Sequence, residues 1–170
     1  MEKNILVVGA DLGHSGAKVQ WTTNRAAGRR NQFIIPTVVV PAFAIANDES
    51  ARRAEKETVN VNGRDYFVGR TAMTQSPQED YSGKEKNWIT DGVIHDAMLC
   101  GVMKKVMEAY TEANLPLLDK VIVVLGLPTD YYSAQRESLR DHAFKLLRNM
   151  LIDGTELQIG IKAQSESPIY

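Results

Sequence analysis

An α/β domain with a mixed sheet, flanking helices and a small β-hairpin insertion is what this sequence predicts. Two observations carry the prediction. In the second half, two long helical stretches alternate with apolar β runs, as βα connections require. In the first half, three β-like runs follow one another without an intervening helix. The second observation excludes a doubly wound dinucleotide fold, whose early strands are separated by helices.

Ile5–Val8 is a short continuous apolar run, as expected of a strand buried on both faces. Ala17–Thr22 follows after a bend of a few residues, so the two pair antiparallel. "NRAAGRRNQ" (24–32) is a polar, basic connection, and "FIIPTVVV" (33–40) is rich in β-branched residues. Pro36 inside that run predicts an edge strand or a break. Residues 41–58 have mixed charge and no clear period, and read as an exposed loop with room for a helical turn. "VNVNGRDYFVG" (59–69) is a hairpin with Asn62-Gly63 at its turn.

"MTQSPQEDYSGKEKN" (73–87) is polar and reads as loop. A long helix is predicted from about Thr90 to Asn114, capped by Thr90 or Asp91. Lys104, Lys105, Glu108, Thr111 and Glu112 share one of its faces, and a wide apolar arc, including Met98, Val102, Met103, Val106 and Tyr110, occupies the rest. Such an arc belongs to a helix packed on a sheet and partly covered again. "KVIVVLGLP" (120–128) is a buried strand stopped by Gly126 and Pro128. A second helix, about Ser133 to Met150, carries the stripe Leu139, Ala143, Leu146, Leu147 and Met150, with Thr129 or Asp130 as its cap. "DGT" (153–155) then turns into a last alternating strand, Glu156–Ala163.

Composition narrows the function classes. With 44% hydrophobic and 24% charged residues, the chain has the make-up of an ordinary globular domain. A formal charge of -1 argues against a nucleic-acid ligand. The single cysteine, Cys100, excludes a disulfide framework and suits a reducing cytoplasm. The apolar run at the N-terminus is too short for a signal peptide or a membrane span.

Chemistry concentrates in "GADLGHSGAK" (9–18). It is neither the dinucleotide fingerprint nor the P-loop, both of which enter a helix, whereas here a strand follows. What remains is an acid at the end of strand one, then a glycine turn with a hydroxyl and a lysine. Backbone N–H groups in such a turn can cradle phosphate oxygens. Lys18 can place a compact charge on a phosphate, and Asp11 offers the hard oxygen that magnesium prefers. Two readings stand open on these residues alone: a phosphate loop with its metal ion, or a polar hairpin with a solvated lysine.

The pattern D-x-G-x-[ST]-x-x-K followed by "VQW" resembles the first phosphate loop of the actin, Hsp70 and hexokinase superfamily. It is most similar to that of ParM-like bacterial actins, the plasmid-segregation actins. Later segments agree in order: the hairpin "VNVNGRDYFVG", the helix "DGVIHDAMLCGVM", "VVLGLPTDYY" with its paired tyrosines, and the final "GTELQIGIKAQSESPIY". The collinear set spans nearly the whole chain. It implies an actin-like ATPase lobe of ribonuclease H-like fold over residues 1–170, with a small subdomain inserted at about 41–68. It also implies ATP and Mg2+ as ligands. Asp11 would hold the ion through water, while Gly13, His14, Ser15 and Gly16 wrap the β- and γ-phosphates and Lys18 neutralises their charge. Gln164 stands where the family places the residue that orients the attacking water, and Glu166, two residues on, is the alternative. A neutral amide suffices there, because phosphoryl transfer depends mainly on positioning and charge stabilisation.

The family's second phosphate loop and adenosine pocket have no counterpart here: "TDGV" (90–93) and "IDGTE" (152–156) lack the pattern. The expectation is therefore an N-terminal lobe alone, the second lobe being absent. Its parent would be a cytoplasmic ATPase that self-associates into filaments, joined to plasmid DNA by an adaptor protein, with no direct nucleic-acid or membrane contact. The lobe by itself would hydrolyse ATP poorly or not at all. Two other readings remain: a stand-alone module that binds or caps actin-like filaments, and a sugar- or acetate-kinase lobe. The kinase would need a catalytic Asp near the last strand, and "IKAQSESP" offers none. His95 and His142 read as surface or satisfied histidines. Arg25, Arg29 and Arg30 read as a solvated basic turn.

Overall fold

The computed structural model describes residues 1–25, 30–76 and 92–164. In chain order these form β1 (Ile5–Leu12), β2 (Gly16–Thr23), β3 (Asn31–Pro36), β4 (Val39–Pro41), α1 (Asp48–Glu55), β5 (Thr58–Val61) and β6 (Arg64–Val68). There follow α2 (Gly69–Gln75), α3 (Val93–Glu112), β7 (Lys120–Leu127), α4 (Thr129–Arg148) and β8 (Glu156–Ala163). Five strands make one sheet in the order β3-β2-β1-β7-β8, and three make another in the order β4-β6-β5. The large sheet is mixed, as predicted: β1 runs parallel to β7 and β7 parallel to β8, while β1 and β2 form a hairpin. Pro36 closes β3, and the chain enters the other sheet at Val39, three residues later. The residues fall into two compact units, one made of 1–11, 18–33 and 110 onward, the other of 12–17 and 34–109.

In the first unit the strand register stacks apolar side chains in rows. Leu6, Val121 and Leu157 align across β1, β7 and β8, and Val8, Val123 and Ile159 form the next row. All six are buried. Helix α4 packs on β7 and β8 through Leu139, Ala143 and Leu147. Removing such side chains from water is the main driving force for the unit, at roughly 1.5–3 kcal/mol each.

A polar network ties the edge where these parallel strands begin. The Asn4 backbone N–H donates to Asp119 Oδ2 at 2.7 Å, and the Asn4 amide donates to the Leu117 carbonyl at 2.9 Å. Asn24 accepts from the Ile5 N–H at 2.9 Å and donates to the Lys3 carbonyl at 2.7 Å, while Arg25 Nε donates to Asn4 Oδ1 at 2.6 Å. The Glu156 N–H adds β8 by donating to the Asp119 carbonyl at 2.9 Å.

In the second unit Val40, Ala54, Phe67 and Ala72 form the core between the small sheet and helices α1 and α2. The β5–β6 hairpin turns at Asn62 (φ 52°) and Gly63 (φ 83°), the left-handed pair that matches strand twist. Gly69, at φ 66°, joins β6 to α2, and a Cβ there would lie 2.7 Å from Ile35 Cγ2. Lys104 of α3 donates to the carbonyls of Glu55 and Thr58, fastening α3 to the end of α1 and the start of β5.

The structure corrects several expectations. Residues 41–58 hold a two-turn helix, α1, rather than a loop. Its sequence DESARRAE buries only Ala54, so no apolar period announces it. It stands instead on its ends: Asn47 accepts from the Ser50 N–H, acids Asp48 and Glu49 fill the first turn, and Arg52 and Arg53 the last. Part of the 73–87 stretch is also helical, since α2 extends to Gln75; its remainder from residue 77 lies outside the described residues, as do Thr90 and Asp91. Gly126 lies inside β7 instead of stopping it. Helix α4 begins four residues early, with Pro128 as its N-cap and no side-chain cap; Thr129 and Asp130 lie within its first turn.

Candidate functional site

Because β1, β7 and β8 run in parallel, their C-terminal ends reach the same edge of the sheet. Asp11 is the last residue but one of β1, and Gln164 follows directly on β8. Gln164 Nε2 donates to Asp11 Oδ1 at 2.5 Å, joining residues 153 positions apart. The space they share exists because β7 carries Gly126 between them. A Cβ at that position would lie 3.1 Å from Gln164 Cγ, 3.3 Å from Nε2 and 3.6 Å from Asp11 Oδ1. A carboxylate can only accept, so it holds the amide by its nitrogen and leaves the amide oxygen as the acceptor for another group.

Lys18 shares this face. In the β1–β2 hairpin the Gly13 N–H meets the Gly16 carbonyl and the Asn24 N–H meets the Ile5 carbonyl, a register that sets Lys18 opposite Asp11. Lys18 is exposed between buried Ala17 and Val19.

The glycine turn belongs to the other unit. It is tied through its carbonyl groups. Gly16 O accepts from the Gly13 N–H at 3.1 Å, Ser15 O from the Thr37 N–H at 3.3 Å, and Gly13 O from Thr37 Oγ1 at 2.6 Å. Carbonyl oxygens repel anions, so engaging three of them within the protein suits a turn built for phosphate. The glycines sit in close quarters: a Cβ on Gly13 would lie 3.0 Å from Gly16 O and one on Gly16 3.2 Å from Ile34 Cγ2, so a side chain at either position asks its neighbour to give by a few tenths of an ångström. His14 and Ser15 stand exposed at the tip.

Asp11, Lys18 and Gln164 are thus brought together in one unit, and Gly13, His14, Ser15 and Gly16 form one turn in the other. Glu166 and Arg29 lie outside the described residues. His142 is exposed on α4, and His95 is buried on α3 with Nδ1 3.7 Å from Asp96 Oδ1. Two residues of the site escaped the sequence reading. Gly126 reads as a strand stop, although a glycine inside an apolar strand is also the signature of a close approach. Thr37 is a buried polar residue in an otherwise apolar β-branched run, and that contrast was the available signal.

A family model for the N-terminal domain of actin-like proteins matches residues 9–163. The chain belongs to this family. Among solved structures the actin-like domain is similar to Bacillus thuringiensis ParM in its apo form, with 19% identity, a TM-score of 0.55, and coverage of 96% of this chain and 47% of that one. It is also similar to the apo psk41 parM protein, at 14% identity and a TM-score of 0.49 over 94% of this chain and 48% of that one. A non-polymerising MamK mutant bound to AMPPNP matches at 21% identity and a TM-score of 0.46, over 94% and 42%. At these identities the likeness is one of fold. The actin-like domain spans less than half the length of these proteins. No curated protein matches it in sequence.

The donor set decides what kind of metal ion the actin-like domain could hold. Among the described residues no three His, Cys, Asp or Glu side chains converge on one point. Asp11 offers one carboxylate with one oxygen already engaged by Gln164. That fits Mg2+, which keeps most of its waters and binds through one or two carboxylates together with substrate phosphates. No helix among the described residues is long and apolar enough to cross a membrane.

Proposed function

We propose that this chain is the phosphate-binding lobe of an ATP- and Mg2+-dependent actin-like ATPase that forms filaments and moves plasmid DNA. The observation that carries the reading is the Gln164–Asp11 hydrogen bond over Gly126. It sets an amide with a defined orientation beside the carboxylate suited to a hydrated Mg2+. Asp11 would hold the ion through water, and the ion would supply charge neutralisation at the phosphates. Lys18 would add a second positive charge from the neighbouring strand. Gly13, His14, Ser15 and Gly16 would surround the β- and γ-phosphates, Ser15 donating its hydroxyl. Gln164, with its nitrogen committed to Asp11, would turn its oxygen to the O–H of an attacking water and so place that water in line. Phosphoryl transfer asks for positioning and charge, and this set provides both.

The rest of the proposal rests on the resemblance to plasmid-segregation actins: self-association of the parent into filaments, an adaptor between filament and DNA, and hydrolysis that needs a second lobe. Binding of Mg-ATP to this chain, followed by NMR titration, tests the core of it. Mg2+ should strengthen ATP binding to the wild type. Asp11→Asn should remove that Mg2+ dependence, and Lys18→Ala should weaken binding by about tenfold, with or without the ion. Absence of ATP binding, or a Mg2+ dependence that survives Asp11→Asn, would overturn the reading.

A further inference from the structure

The register of the large sheet runs one row of residues past Asp11. Ala10 pairs with Leu125, so the next step sets Asp11 beside Gly126, and Gly126 pairs with Lys162 of β8. With Lys18 opposite Asp11 on the other side, the row reads Lys18, Asp11, Gly126, Lys162 across β2, β1, β7 and β8. Lys162 is exposed between half-buried Ile161 and buried Ala163, on the face away from the buried β8 residues Leu157 and Ile159. Two strand spacings set its Cα about 10 Å from that of Asp11. Its flexible four-carbon stem gives the ammonium reach over this face of the sheet.

The opposite end of the same two strands gives a contrast. There Lys120 faces Glu156 in register, and the two form an ion pair at 3.5 Å. Lys162 faces a glycine, which has no side chain to balance the charge. Among the described residues neither Lys18 nor Lys162 forms an ion pair. The only carboxylate in the row, Asp11, has one oxygen engaged by Gln164. The row therefore carries two ammonium groups and one carboxylate, on a chain whose overall formal charge is -1. Side by side on one row, these groups leave a net positive charge that can attract an anion.

We propose that Lys162 is a second phosphate-binding cation, acting with Lys18 from the far side of Asp11 to clamp a polyphosphate along the sheet edge. The proposal rests on the phosphate-site reading above and deepens it by naming the group that favours a chain of phosphates over a single one. Lys18 alone would neutralise one end. Lys162 lies three strand spacings from Lys18 along the same row, where a longer anion would extend.

The test is an NMR titration of the chain with inorganic tripolyphosphate and, separately, with Mg-ATP at low salt, comparing wild type, Lys162→Gln, Lys162→Arg and Lys120→Gln. Lys162→Gln should weaken both ligands by about tenfold, and Lys162→Arg should restore binding to within about threefold. Lys120→Gln should leave affinity unchanged, because that charge is paired at the other edge. The salt dependence of tripolyphosphate binding should also be shallower in Lys162→Gln. Thermal melts of all variants should agree with wild type, since Lys162 is exposed; a Lys162→Gln that melts early and is not rescued by arginine would mark a structural role and overturn the proposal. Equal affinities for wild type and Lys162→Gln would overturn the role of Lys162 and leave the phosphate site standing. Failure of the wild type to bind either ligand would overturn both.

Discussion

Gly126 holds open the space that Gln164 fills, and a single added methyl tests how finely the site is set. The atoms an alanine would meet first are Gln164 Cγ at 3.1 Å and Nε2 at 3.3 Å. These belong to a flexible side chain that can swing away, so the strand itself should tolerate the change. Gly126→Ala is expected to alter stability by no more than about 1 kcal/mol while breaking the Gln164–Asp11 hydrogen bond. Chemical denaturation and the NMR signal of the Gln164 side-chain amide check this directly. An unmoved amide resonance in the variant would refute it. The same scale explains what could be read in advance. Asp11 and Lys18 stood out by residue type within a glycine turn, whereas Gln164 was singled out only through the resemblance to actin-like proteins. Thr37 and Gly126 did not stand out, because their roles lie in what they touch: a carbonyl 24 residues away for Thr37, and a vacant volume between two other strands for Gly126.

At the scale of elements, legibility followed the source of stability. The strand β7 was plain as a continuous apolar run, and β8 because its apolar residues alternate. The β5–β6 hairpin was plain because Asn62 and Gly63 supply the positive φ its turn demands. Helix α1 was illegible to periodicity because one buried alanine makes no stripe, and its stability comes from its cap and its terminal charges. Helix α3 was legible as buried, and that burial reaches Cys100, whose thiol is pushed up to about 12 by desolvation first and by the neighbouring Asp96 charge second. The unfolded chain ionises this thiol near its ordinary value of 9.0. Between those two values the folded state binds the extra proton, so stability is fully present below pH 9 and is lost as pH rises toward 12. Urea unfolding from pH 8 to 11 should therefore fall more steeply for wild type than for Cys100→Ala. Parallel slopes would mean the thiol is not shielded as the fold implies.

For the molecule as a whole, the fold class was readable because the order of β and α runs along the chain leaves few ways to build an α/β layer, while the strand order within the large sheet came only with the structure. The division of residues into units was not readable, since residues 12–17 go with 34–109 and not with their chain neighbours. The chain spans less than half the length of its solved relatives. Head-to-tail assembly uses two different surfaces of one protomer, and a chain of this span is expected to supply only part of that pair. Sedimentation with Mg-ATP should leave it in the supernatant; robust pelleting on ATP addition would overturn that expectation.

The polar network of Asn4, Asn24, Arg25 and Asp119 has a consequence for how motion is distributed along β1, β7 and β8. Side chains cross-tie the beginnings of these strands, whereas among the described residues their far ends carry Gly126, exposed Lys162 and the Gln164–Asp11 bond. Each strand is then anchored at one end and compliant at the other, like a reed held at its base. Amide hydrogens should exchange slowly near Ile5 and Lys120 and progressively faster toward Asp11 and Gln164. A polyphosphate gripping the compliant ends would slow them most, so the ligand's imprint would be a flattening of that gradient.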